Sequence, residues 1–114
     1  MGIFRKEAEL REALEKILAL KPRAAQTRAA GGREYNPAWH LAWDLRHMMV
    51  CAEALTRAAL ERKESRGAHS RLDYPKQDPE YGKVNLAVSL QNGSMTLEKT
   101  PVPRMPAELR ELFK

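Results

Sequence analysis

The sequence predicts a mainly α chain: a portion of a helical bundle followed by an extended tail that carries a short β-hairpin. Three observations predict it. Leu10, Leu14, Ile17 and Leu18 recur at three- and four-residue spacing, which lines one face of a helix. Asn36-Pro37 opens a longer run of the same kind. From Gly67 onward come five of the seven prolines and the pair Asn92-Gly93, which is turn chemistry. The expected division is 1–66 for the helical portion, with helices at about 4–20 and 36–64, and 67–114 for the tail, with the hairpin at about 85–100.

The first helix is expected from Phe4 to Leu20, with Glu7/Arg11 and Glu12/Lys16 as i,i+4 pairs on its wet side. Pro22 lacks a backbone donor and is expected to stop or kink the helix near Lys21. Gly31-Gly32 reads as a loop. For the second helix, Asn36 is a good N-cap, and Pro37 falls at the first helical position, where its missing N–H costs nothing. Leu41, Leu45, Met48, Ala52, Leu55 and Ala59 then make a heptad-like stripe. Trp39, Trp43, Met49, Val50 and Cys51 cannot all lie on that stripe and form a second apolar set. A helix of about 28 residues is roughly 42 Å long, against about 25 Å for the first, so it has apolar surface that one short partner cannot cover.

Gly67 is expected to end the long helix as a left-handed cap. Beyond it, Asn85 to Gln91 and Ser94 to Thr100 flank Asn92-Gly93 as hairpin strands. A lone two-stranded hairpin is marginal in water, so this one should lie against another surface. Pro101, Pro103 and Pro106 impose an extended path, and Ala107 to Phe113 can make a last helical turn or two.

A chain of 114 residues suits one domain. No apolar run approaches the roughly 20 residues that span a bilayer, so no direct membrane insertion is expected, and Met1 to Arg5 holds no signal-peptide core. The single cysteine excludes an internal disulfide framework and suits a reducing, cytoplasmic setting. A net charge of +5 raises nucleic acid as a partner, but the basic residues are mostly interleaved with acids, and no aromatic-studded basic motif accompanies them. No nucleic-acid partner is expected.

His40, His47 and Cys51 share a broad helix face, yet a structural zinc site wants four ligands in paired spacing. They read as helix residues beside a buried, inert thiol. Met48-Met49 and the tryptophans read as packing. No glycine-rich dinucleotide loop occurs. With no phosphate loop, metal set or acid–base pair, the chain is expected to be inactive alone, with no catalytic, cofactor or metal residue. One run stands apart: Arg62, Lys63, Glu64, Ser65, Arg66, Gly67, Ala68, His69 and Arg71 set many polar groups around one glycine. It reads either as a solvated helix end, where a basic charge contributes only about 0.3–1 kcal/mol, or as a hydrogen-bonded anchor whose arginines engage carboxylates or carbonyls of a partner surface.

The stretch Ala58-Ala59-Leu60-Glu61-Arg62-Lys63-Glu64-Ser65-Arg66-Gly67-Ala68-His69, with Arg71, Asp73, Tyr74 and Pro75 after it, closely resembles the C-terminal signature of the succinate dehydrogenase and fumarate reductase flavoprotein subunits. The resemblance extends upstream through Asn36, Asp44-Leu45, Met48 and Ala52-Glu53 to Gly2-Ile3-Phe4-Arg5, and downstream through Lys83 and Leu86. His47 stands where that family commonly has Asn. The resemblance implies a spectrin-repeat-like three-helix bundle, of which this chain lacks the first helix, and a tail packed on the rest of the subunit. It implies a parent enzyme that interconverts succinate and fumarate with FAD and lies peripherally on the cytoplasmic face of the membrane. The implied partners are the parent's flavin and capping domains and an iron–sulfur subunit. Arg62, Glu64, Ser65, Arg66, Gly67, His69 and Arg71 are the candidate interdomain or subunit contact. L-aspartate oxidase, which shares Glu-Ser-Arg-Gly, and an independent helical interaction module are the alternatives. Alone, the chain is expected to self-associate through the second apolar set, Trp39, Trp43, Met49 and Val50.

Overall fold

The computed structural model describes residues 2–113. A two-residue strand β1 (Phe4–Arg5) leads into helix α1 (Glu7–Gln26), and a loop returns the chain into helix α2 (Pro37–Glu61). A second short strand β2 (Ser70–Arg71), a 3-10 turn (Tyr81–Lys83), the strands β3 (Val84–Gln91) and β4 (Ser94–Pro101), and a short helix α3 (Ala107–Glu111) follow. Contacts between the helices run in opposite directions along the chain: Arg46 donates to the carbonyl of Ala25 at 2.9 Å, and further along α2 Glu53 pairs with the earlier Lys21 at 2.5 Å. The two helices are therefore an antiparallel hairpin. This supports the mainly α expectation with a β-hairpin tail.

The first helix differs from expectation at both ends. Phe4 and Arg5 are extended and pair in parallel with Ser70 and Arg71, so α1 starts at Glu7. At the other end it runs through Pro22 to Gln26. Proline removes one i→i−4 bond, and tertiary contacts just around it compensate. Ala24 is buried, the Lys21 ammonium is held by Glu53, and Arg46 takes up the carbonyl of Ala25. Asn36 caps α2 as its residue type demands. Its side chain accepts from the N–H of Ala38 at 3.1 Å and donates to the carbonyls of Ala30 and Gly32, so one residue starts the helix and closes the loop.

Only half of the stripe selected by heptad spacing turns inward: Ala59 is buried and Leu45 and Ala52 are half-buried. Arg46 and Glu53 meet α1, and Met49 and Thr56 share their side by the 3-4-3 spacing. Leu41, Met48 and Leu55 face outward, with 67%, 61% and 56% of their surface exposed. The hairpin partly covers a third side. Its paired residues Val88/Leu97 and Leu90/Met95 lie on one face of the ladder. Val88, Leu90 and Met95 line a cleft of about 750 Å³ with Leu18, Val50 and Cys51. Cys51 is exposed there, which corrects the expectation of a buried thiol. At the turn, Asn92 (φ 50°) and Gly93 (φ 77°) have the paired positive angles of a type I′ hairpin. The ladder includes Pro101, opposite Val84, in a non-hydrogen-bonded pair: the cross-strand bond comes from the N–H of Val102 to the carbonyl of Lys83 at 2.8 Å, so the missing proline donor costs nothing.

Candidate functional site

An α-helix leaves its last four carbonyls without intrahelical donors. At the end of α2 these are answered by side chains from the tail. Arg71 Nη1 donates to the carbonyls of Ala59 (2.8 Å) and Leu60 (3.3 Å). The Tyr81 hydroxyl donates to Glu61 at 2.5 Å, and His69 Nε2 lies 3.0 Å from the carbonyl of Arg62. A guanidinium here also meets the negative end of the helix dipole. Gly67 is not the cap. The helix has already ended at Glu61, and Arg62 is extended with its N–H on the carbonyl of Ala58. Gly67 has its positive φ (58°) for a different reason. It is the first central residue of a tight turn in which Arg66 and His69 exchange backbone bonds of 2.8 and 3.0 Å, the place where a II′ turn demands glycine.

Glu64 sits behind that turn with no solvent exposure. Its carboxylate accepts from Arg62 Nη1 (2.6 Å), Arg66 Nε (2.9 Å) and Nη2 (3.0 Å), and the N–H of Asp78 (2.8 Å). The Arg66 guanidinium, the burial that opposes it, the Asp78 N–H and Arg62 together hold the Glu64 pKa down at about 2. Arg62 extends to the carbonyls of Tyr81 and Val84, and Arg66 to that of Asp78, so the pair of arginines ties the segment before the hairpin to the helix end. A Cβ on Gly82 would lie 3.1 Å from Arg66 Nη2, so the glycine there lets the guanidinium approach. The Ser65 hydroxyl links the turn to the segment after it, donating to the carbonyl of Tyr74 (2.9 Å) or Arg71 (3.2 Å) and accepting from the N–H of Arg71 (2.8 Å).

Arg71, also without exposure, grips Asp73 with two bonds of 2.8 and 2.7 Å. Asp73 in turn accepts the N–H of Glu7 at 2.9 Å, the first residue of α1, whose own preceding residue Lys6 supplies no side-chain cap. One ion pair thus serves both helix dipoles, with the carboxylate at the positive start of α1 and the guanidinium at the negative end of α2. The Arg71 bond, acting against burial and helped by the N–H of Glu7, pushes the Asp73 carboxyl well below the usual range. His69 completes the knot. Arg5 Nη1 donates to its Nδ1 at 2.8 Å, so Nε2 carries the proton that goes to the Arg62 carbonyl. Burial lowers the His69 pKa, the Arg62 carbonyl opposes this, and the cations of Arg5, Arg71 and Arg62 add to the lowering.

All seven residues singled out in the sequence therefore meet in one place. The solvated-end reading does not hold, because Glu64 and Arg71 are fully enclosed. The arginines engage carboxylates and carbonyls, and those seen here belong to the same chain. Arg5, Asp73 and Tyr81 belong to the cluster and were missed. Asp73 could have been found from its position two residues past Arg71. Arg5 and Tyr81 give no local signal, since sheet pairing and the tail's return place them. His40, His47 and Cys51 make no metal set; among the described residues no group of three or more His, Cys, Asp or Glu could hold an ion.

The structure is thus a helical hairpin whose open ends are locked together by the Arg66-Gly67-Ala68-His69 turn and by the enclosed Arg71 with its partner Asp73. The family model for the fumarate reductase flavoprotein C-terminal region matches residues 1–111, and the chain belongs to that succinate dehydrogenase and fumarate reductase flavoprotein family. It is 37% identical over 103 residues to the fumarate reductase flavoprotein subunit of Haemophilus influenzae, covering 89% of this chain and 17% of that protein. It is 34% identical over 86 residues to the L-aspartate oxidase of Acinetobacter baylyi, 75% of this chain and 15% of that one. Among solved structures, Mycobacterium smegmatis Sdh1 in complex with UQ1 superposes with a TM-score of 0.85 at 39% identity, over 99% of this chain and 20% of that one. The chain therefore spans only 15–20% of the length of these relatives. The described residues do not form a cradle for a flavin dinucleotide. Gly31 and Gly32 join two helices with no strand before them, and Gly67 lies in a tight turn with its neighbours bonded to each other. No described helix is long and apolar enough to cross a membrane.

Proposed function

We propose that this chain is the non-catalytic C-terminal domain of a succinate dehydrogenase or fumarate reductase flavoprotein subunit, packing on the flavin and capping domains and supporting assembly with an iron–sulfur subunit. The observation that carries the reading is the outward stripe of Leu41, Met48 and Leu55 on α2. A heptad-spaced apolar face more than half exposed at each of these positions calls for a covering surface. The exposed Gly67-Ala68 tip, stiffened from behind by Arg62, Glu64, Ser65, Arg66, His69 and Arg71, is the second point of contact. In this reading the parent interconverts succinate and fumarate, FAD is held by the preceding domains, electrons pass to the iron–sulfur subunit, and the assembly lies peripherally on the cytoplasmic face of the membrane. The likeness to an L-aspartate oxidase supports a soluble parent with the same flavin architecture as the second reading.

Co-expression with the separately encoded flavin and capping domains of such a subunit tests this. The two pieces should copurify, and Leu41→Asp with Leu55→Asp should abolish copurification while leaving the helical circular dichroism of this chain intact. Failure of the unaltered pieces to associate overturns it. The chain alone should bind no FAD and support no succinate-dependent dye reduction; a flavin spectrum that survives gel filtration overturns that part.

A further inference from the structure

The far end of the helical hairpin, opposite the Glu64 cluster, carries a feature that docking on a flavin domain does not use. Arg23, Arg28, Arg33 and Arg46 gather there around the loop between α1 and α2, together with both tryptophans of the chain. Along the helices and at the Glu64 cluster five arginines are matched to carboxylates, Arg11 with Glu7, Arg57 with Glu53, Arg62 and Arg66 with Glu64, Arg71 with Asp73. None of these four has an acidic partner among the described residues. Arg28 donates only to the carbonyls of Ala25 and Thr27. Arg33 lies 5.7 Å from the ring centre of Trp39, and Arg46 5.2 Å from that of Trp43. Thr27, Arg28, Ala29, Trp39, Ala42, Trp43 and Arg46 enclose a cavity of about 250 Å³. Arg46 Nη2 is held by the carbonyl of Ala25, while its Nε is enclosed with no hydrogen-bond partner. A buried unmet donor on a cation is costly, and it marks the site as incomplete.

We propose that this end docks an acidic protein segment, with one carboxylate entering the cavity to pair with Arg46 and Arg28 and neighbouring acids meeting Arg33 and Arg23. The arginines point to this partner because they are spread singly along the loop and both helices. Spaced carboxylates on a chain match that spread, whereas a phosphate group needs several donors converging on one point. The indoles lie under guanidinium groups, as platforms that orient a fork-shaped donor and not as wedges for a bilayer. The two acids nearby do not neutralise the site. Asp44 lies about 100° around α2 from Trp43 and about 160° from Arg46, and Glu34 forms no ion pair among the described residues.

Because Trp39 and Trp43 are the only tryptophans, tryptophan emission, excited selectively over the tyrosines, reads this site alone. Titration with a short Asp/Glu-rich peptide should give a saturable change in emission that weakens steeply with added salt. The same peptide with Asn and Gln in place of the acids should give none. Arg28→Gln and Arg33→Gln, both at exposed loop positions, should each weaken binding roughly tenfold with unchanged circular dichroism. Arg46→Lys, which keeps the charge and loses the fork, should weaken it as well. No saturable change overturns the proposal, and so does an equal response to the neutral peptide. A response to inorganic phosphate or to phosphatidylglycerol vesicles without one to the acidic peptide also overturns it.

Discussion

Glu64 is a carboxylate shut away from water and met by donors from Arg62, Arg66 and Asp78. Removing one member of such a pair leaves the others buried and unmatched, at a cost of about 3–5 kcal/mol. Glu64→Gln should therefore lower unfolding free energy in urea by about 3 kcal/mol or more. Glu12→Gln, whose pair with Lys16 is more than half exposed on both sides, should cost far less, because water and salt screen an exposed pair. Arg66→Ala should fall nearer the first than the second, because its guanidinium supplies two of the bonds to the enclosed Glu64 carboxylate. The same carboxylate sets acid sensitivity. Its folded pKa is about 2 against an ordinary 4.5, so its contribution is complete above 4.5 and is lost as pH falls toward 2. His69, whose folded pKa is lowered, acts in the same direction: neutral in the fold, it contributes above its ordinary value of 6.5 and loses that contribution on acidification. Chemical denaturation as a function of pH should show stability falling on the acid side, and Glu64→Gln should flatten the slope below 4.5. An unchanged slope in the variant would exclude Glu64 as its source.

At the scale of elements, Asp73 and Arg71 couple two helix ends that lie far apart in sequence. Asp73→Ala takes the cap from Glu7 and the counter-charge from Arg71 in one step. It should cost more than Asn36→Ala, a local cap whose loss costs about 1 kcal/mol. Hydrogen exchange should show the difference directly, with protection falling at the first turn of α1 and also at the last turn of α2 in Asp73→Ala, and only at the start of α2 in Asn36→Ala. Protection lost at α1 alone would mean that the two ends are not coupled. Local chemistry explains which elements were legible beforehand. Asn36-Pro37 and Asn92-Gly93 act through their own backbone angles and side chains, so their positions could be read directly. Pro22 and Gly67 were misread because the contacts that decide them, Lys21 with Glu53 and Arg66 with His69, are made through the folded chain.

For the molecule as a whole, the exposed Leu41, Met48 and Leu55 have no cover within the chain. The isolated chain should self-associate through this stripe, since heptad-spaced apolar faces pair readily. Sedimentation at high micromolar concentration should give a species heavier than the 13.0 kDa chain, and Met48→Glu with Leu55→Glu should return it to a monomer. A strict monomer without those changes would show that the stripe tolerates water. The expected length mismatch shrinks to 25 residues against 20, but that the long helix leaves an apolar row uncovered was legible from its two apolar sets. Its location was not, because heptad spacing finds every apolar row on a helix and says nothing about which row meets the neighbour.

Sequence alone determined the two long helices, the hairpin and its turn, the family signature from Ala58 to Arg71, and the fact that the long helix carries more apolar surface than its partner covers. These follow from periodicity, caps and turn angles, all of which act over a few residues. Tertiary structure alone decided that the seam on α2 is the side of Arg46 and Glu53, that α1 continues through Pro22, and that the signature folds back on its own helix end. Those outcomes depend on charges and carbonyls brought together from distant positions. Arg71 reaches Ala59, Asp73 reaches Glu7, and Arg5 reaches His69. In water each of those groups is already hydrogen-bonded, and only when folding removes the water does each require this particular partner.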